Sequence, residues 1–197
     1  MIESKEVYLD IIKNGTLVGI EPEEILLHGP TKRLVNTYHW HSPNKGIVAS
    51  YSPTARDVED HFGVFRGVDQ VEAFAQASIV SCATFLECRK LNCTPDELKD
   101  KFIPAFISIG NVNFQNYLEY GDTFICVGNI TFYKWRQMVC NGRIYKVPKT
   151  INLDEYFSDF TEERLLKYDI SKDFIPVAEL FDITGRAIKI ELFKKSE

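Results

Sequence analysis

The chain has 197 residues, 45% of them apolar, which is enough for one core-bearing domain, and its net charge of -5 argues against broad nucleic-acid binding. No apolar run reads as long enough to span a bilayer, and the charged start Met1-Ile2-Glu3-Ser4-Lys5-Glu6 is unlike a signal peptide. The 14 Phe and 9 Tyr suit sheets and an apolar pocket, while 5 Cys without a C-x-x-C pair point to reduced thiols in a cytoplasmic protein.

In chain order, Val7, Ile11 and Ile12 recur at helical spacing, so residues 5–14 read as a helix ended by Asn14-Gly15. Glu21-Pro22-Glu23-Glu24 starts a short helix running to about His28, where Gly29-Pro30 breaks it. Arg33 to His41 and Ile47 to Tyr51 read as an antiparallel hairpin turned at Ser42 to Gly46. Arg66 to about Asn92 is one long helix, apolar over most of its circumference and therefore buried. Thr94-Pro95 starts a short helix with a threonine cap. Strands are expected at Phe102 to Ile109, Asn111 to Tyr117, Thr123 to Lys134 and Arg136 to Val147, with Asn141-Gly142 as a hairpin turn in the last. Asp154 to Lys167 is acidic and helical in pattern, and Val177 to Phe193 reads as a strand pair around Thr184-Gly185. The class is α+β, an antiparallel sheet wrapped around one long central helix.

The chemistry concentrates between Asp60 and Ala77. A carboxylate, Glu72, lies in an apolar helix, where burial costs several kcal/mol unless the group is paired or neutral. His61 precedes it in a glycine-flanked turn. His39-Trp40-His41 would put two histidines on one strand face, a metal pair lacking a third ligand, and an exposed strand face is the plainer reading. No metal site is therefore assigned. No nucleophile-elbow serine or glycine-rich phosphate loop is present.

Residues 61–76, His61-Phe62-Gly63 through Gly67-Val68-Asp69-Gln70-Val71-Glu72-Ala73-Phe74-Ala75-Gln76, resemble the signature of the 3-hydroxyacyl-acyl-carrier-protein dehydratases of the FabZ/FabA type, H-F-P-G-x-P-x-M-P-G-V-x-x-x-E-A-x-A-Q. Ile109 to Phe114 followed by Gly121-Asp122 is similar to the family's strand and turn after the helix. The His61-to-Glu72 loop is three residues shorter than the pattern, and Arg66 stands where a proline would be. The resemblance, over roughly residues 25–148, implies a hotdog fold; residues 1–149 read as the hotdog domain with its N-terminal helices, and 150–197, where the character changes after Lys149, as an extension packed on the same domain, too short to bury much core alone.

It further implies elimination of water from a 3-hydroxyacyl thioester to a trans-2-enoyl thioester. His61 would be the base, and Glu72, its pKa raised by desolvation, the acid, paired across the interface of a homodimer or higher even oligomer. Gly63, Gly67 and Val68 would offer backbone N–H groups to the thioester oxyanion. Arg66 would touch a phosphate or carboxylate of the substrate, or simply pair with Asp60 or Asp69, and Gln76 would orient the carboxyl. No cofactor is implied, because the substrate rides on the phosphopantetheine of acyl carrier protein or coenzyme A; neither nucleic acid nor membrane is an expected partner. A hotdog thioesterase, isomerase or other biosynthetic lyase is the first alternative, and a non-catalytic subunit that binds acyl chains or supports a partner is the second.

Overall fold

The computed structural model describes residues 5–192. The first four residues of the charged start and the expected strand end at Phe193 lie outside the described residues. Helix α1 spans Lys5–Asn14, and α2 is a single turn, Pro22–Ile25. It stops short of His28 because Leu26 turns extended, so that Ile25 and Leu26 both enter the core. Strands β1 (Thr37–Ser42) and β2 (Gly46–Tyr51) form the expected hairpin. The short β3 (Val64–Phe65) then leads into the central helix α3 (Gly67–Leu91).

By length and composition α3 would suffice to cross a membrane, contrary to the expectation that no such run exists. Its place is inside the protein, where Val71, Phe74, Ile79, Cys82 and Phe85 are buried against the sheet. The stretch Gln76–Ser81 is π-helical. There the Ser81 hydroxyl donates to the Gln76 carbonyl, 2.7 Å away and five residues back, and lies 2.8 Å from the Tyr38 hydroxyl. After α4 (Pro95–Lys99), capped by Thr94 and Glu97, come β4 (Phe102–Ser108), β5 (Asn111–Phe114) and β6 (Leu118–Glu119). Strands β7 (Phe124–Lys134) and β8 (Gln137–Lys146) follow, then the short α5 (Leu153–Tyr156) and α6 (Glu162–Lys167), and finally β9 (Ile175–Lys189).

Seven strands form one antiparallel sheet in the order β1-β2-β7-β8-β9-β4, with β5 also on β9, and β3 pairs separately with β6. The sheet curls around α3, as expected. Residues 150–197, read as an extension, supply β9 to the interior of this sheet, between β8 and β4. The strand pair expected around Thr184-Gly185 is one continuous strand. Its residues Ala178, Ile183 and Thr184 already have partners on β8, which leaves no chain free to turn back.

Two apolar layers lie on the two faces of the sheet. Along β2, Ile47, Ala49 and Tyr51 face the α3 core, while Val48 joins Ile125, Val127, Phe157, Phe160, Leu165 and Phe174 on the back, following the two-residue period of a strand. The short helices of the C-terminal segment thus cover the outer face of the sheet.

The Asn141-Gly142 turn is not formed. Gly142 lies within β8, opposite Gly128 of β7, and a Cβ built on it would come 2.3 Å from the Phe74 ring. The glycine is there so that the sheet can touch the central helix. The hairpin turn falls at Trp135 and Arg136, both left-handed with φ of 53° and 62°. This turn type ordinarily calls for Asn-Gly, which explains the misplacement.

Candidate active site

Glu72 lies on the second turn of α3, and Gln76 one turn later on the same face holds it. The Gln76 amide donates to the Glu72 carboxylate (2.8 Å) and to the Lys32 carbonyl (2.7 Å), and its oxygen accepts the Leu34 N–H (2.8 Å). Gln76 is wholly buried. The orienting role expected for it matches this geometry. The apolar enclosure expected around Glu72 does not: its side chain retains 35% exposure because it looks into a cleft.

His61 projects from a loop with left-handed backbone at Asp60, Phe62 and Gly63 (φ 57°, 57° and 77°). For the two non-glycine residues that conformation costs roughly 1–2 kcal/mol each. The loop is braced at both ends. Upstream, the Asp57 carboxylate accepts from Thr54 and from the Tyr51 hydroxyl. Downstream, Val64 and Phe65 pair with Glu119 and Leu118. The His61 Nδ1 lies 3.0 Å from the Val64 carbonyl. A carbonyl only accepts, so Nδ1 carries a proton, and in the neutral ring the lone pair is left on Nε2.

His61, Arg66, Asp69 and Glu72 line one cleft of about 510 Å³, together with Lys32, Arg56 and Asp57. His61 and Glu72 of one chain therefore line a common space. Arg66 is bound by Asp69, through Nε (2.6 Å) and a terminal nitrogen (2.8 Å), so the simpler of its two readings is realised. Gly63, Gly67 and Val68 are not among the residues lining the cleft. Gly63 and Val68 are exposed, and the space beside Gly67 is filled by the Phe114 ring, 2.8 Å from a Cβ built there. Close approach at Gly67 thus serves an aromatic ring of the same chain.

A second, narrow cavity of about 80 Å³ meets the cleft at Glu72 and His28 and follows α3 between the helix, β4 and β9. Its walls are mostly apolar, with Ala75, Ile79, Ala83, Phe102 and Ala187 among them. His28 was missed in the sequence because it follows a single helical turn and belongs to no periodic pattern. Its Nε2 is 3.5 Å from the Glu72 carboxylate, and its Nδ1 is buried without a partner. Burial lowers its pKa, while Glu72 pulls it partly back.

The two strand histidines do not share a face. A register shift between Tyr38 and Trp40 turns His39 outward onto Phe157 and Asp154, while His41 points inward onto Phe85 and is buried rather than exposed. Among the described residues no three His, Cys, Asp or Glu side chains gather as for a metal ion. All five cysteines are free and buried, and burial raises every one of their thiol pKa values.

No protein-family model and no curated protein matches the chain. Among solved structures, the dehydratase heterocomplex ApeI:P from Xenorhabdus doucetiae is similar over 90% of this chain and 97% of that one, with a TM-score of 0.61 and 10% identity. The fold is a hotdog. Further hotdog structures align more weakly. They include the E. coli PaaI protein of the phenylacetic acid degradation operon (TM-score 0.43, 11% identity, covering 75% of this chain and 79% of that one). Another is Slr0204, a 1,4-dihydroxy-2-naphthoyl-CoA thioesterase from Synechocystis (TM-score 0.43, 10% identity, covering 74% and 83%).

Proposed function

We propose that the protein is a 3-hydroxyacyl-thioester dehydratase acting as a homodimer on a substrate carried by acyl carrier protein or coenzyme A. The observation that supports this best is that His61, its Nδ1 held at the Val64 carbonyl, and Glu72 line one cleft. His61 Nε2 takes the α-proton of the thioester, and the electron pair moves toward the carbonyl oxygen. The pair then returns to form the C2–C3 double bond as the C3–O bond breaks, and the Glu72 carboxyl gives a proton to the departing hydroxyl, which leaves as water. A proton passed from His61 back to Glu72 through solvent restores both groups. Gln76 fixes the direction of the carboxyl, and the narrow cavity beside α3 takes the acyl chain.

The dimer is inferred from surface chemistry. Among the described residues the outer edge of β4 and β5 has no partner strand, and Ile103, Phe106, Ile107, Ile109 and Phe114 along it are exposed. Phe62 is 100% exposed and Val68 68% exposed nearby in sequence, at the mouth of the helix. An open apolar edge of this kind is an aggregation hazard unless another strand covers it. A second copy pairing edge to edge would satisfy the open backbone groups and set its own side chains beside these.

The test is absorbance of the conjugated enoyl group with 3-hydroxybutyryl and crotonyl thioesters on both carriers, run in both directions. Interconversion supports dehydration. Release of free thiol instead makes the protein a thioesterase using Glu72 to activate water. Neither signal, with a stable dimer that binds acyl thioesters, leaves a binding subunit.

A further inference from the structure

The cavity beside α3 is polar at both ends. At its inner end stand Glu87 and Arg136. Glu72 and Glu87 are fifteen residues apart on one helix, which places the two ends about 22 Å from each other. Glu87 is buried and already satisfied, accepting from the Tyr133 hydroxyl at 2.6 Å with Lys90 at 3.8 Å.

Arg136 is different. It makes no ion pair and no side-chain hydrogen bond with any described residue, and its Nε is buried without a partner. Its guanidinium stands 4.9 Å over the Phe102 ring, where β4 begins, and its carbonyl accepts the Ala187 N–H, which anchors its backbone to β9. A partly buried guanidinium whose Nε–H has no acceptor, on the wall of an apolar groove, is open to an anionic partner that enters the groove. Its backbone is also left-handed, a conformation unfavourable for a long side chain and kept here although Asn or Gly would suit the turn better.

We propose that Arg136 is a specificity-determining residue, forming a subsite for a carboxylate at the far end of the acyl chain. The guanidinium fork matches a carboxylate through two parallel N–H···O bonds. Glu87 faces the same end, but its charge is held by Tyr133 and Lys90. This assignment rests on the acyl-thioester reading of the site, and its test is a binding measurement that does not need turnover.

Saturated acyl-CoA thioesters of matched length, ending in either a methyl or a carboxylate, are titrated by calorimetry against the wild type and Arg136→Asn. Asparagine tolerates the left-handed turn and removes the cation. Wild type is expected to bind the carboxylate series about tenfold tighter at the length that reaches Arg136. Arg136→Asn is expected to lose that preference while binding the methyl series unchanged. Equal affinity for both series in wild type, a preference that survives in Arg136→Asn, or no binding of either series would each overturn the subsite. Should the preference be present while no thioester is turned over, the dehydratase reading fails and the subsite stands. A second variant, Arg136→Lys, is expected to keep a weaker preference, since it keeps the charge without the fork.

Discussion

Gln76 donates to the Glu72 carboxylate at 2.8 Å, and through its other two hydrogen bonds it ties the segment around Lys32 and Leu34 to the same point of the central helix. One buried amide therefore orients the acid and closes the wall of the cleft. Gln76→Ala strands the Leu34 N–H and the Lys32 carbonyl, each at about 1–3 kcal/mol. A drop in melting temperature is expected together with a fall in kcat, because the carboxyl is no longer aimed. If melting drops while kcat is untouched, Gln76 is a structural bracket only.

His61→Ala and Glu72→Ala are each expected to lower kcat by about 10²–10⁴-fold with the fold intact, since each removes a proton-transfer group. The two residues reach one cleft within one chain. Mixing the two inactive variants and allowing subunits to exchange should therefore restore nothing. Recovery of up to half the activity would show that the histidine of one subunit serves the glutamate of the other.

The central helix was legible from the sequence, because a 25-residue run that is apolar over most of its circumference is a strong pattern. The strand β9 was legible in composition but not in place. Its partners β8 and β4 are distant in sequence, and no local signal says that a late strand inserts between two earlier ones. Asn141-Gly142 misled because the dipeptide that makes a tight turn also makes a strand thin enough for a Phe ring to rest on, and only packing tells the two apart. The positions of His28 and Arg136 on the cavity wall were invisible for a related reason: each is brought there by the fold rather than by its neighbours in the chain.

The contact between Gly142 and Phe74 is testable. Gly142→Ala drives a methyl against both the Phe74 ring and the Val127 carbonyl of the neighbouring strand. Overpacking of this kind costs about 1–3 kcal/mol. Thermal melts should show Gly142→Ala well below wild type, and Phe74→Leu in the same chain should recover part of the loss relative to the sum of the single changes. Additive losses would mean that the ring does not limit the space at Gly142.

The exposed edge predicts its own oligomer. Ile107→Lys on β4 places a charge where the proposed second copy pairs, and edge lysines oppose strand addition. Sedimentation should show a dimer for wild type and a monomer for the variant, with lowered turnover if the partner helps to close the cleft. A wild-type monomer would remove the dimer from the proposal.

The protein should lose stability as pH falls below 6.5, and His41 is a main cause. Burial, with Arg89 adding to it, lowers the His41 pKa from 6.5 to about 3. Its Nδ1 accepts the Leu17 N–H at 3.2 Å, which requires the neutral ring. Above pH 6.5 neither the folded nor the unfolded chain holds a proton there, so the group contributes no pH dependence. Between 6.5 and about 3 the unfolded chain takes up a proton that folded His41 refuses, and stability declines by up to about 1.4 kcal/mol per pH unit from this group. Burial lowers the pKa values of His28 and His39 as well, so they act in the same direction. His41→Asn, which keeps an acceptor near Leu17, should start from a lower stability at pH 7 because the packing on Phe85 is lost, yet decline less steeply toward pH 5 in urea melts. An unchanged slope would place the acid sensitivity on other groups, the carboxylates first among them.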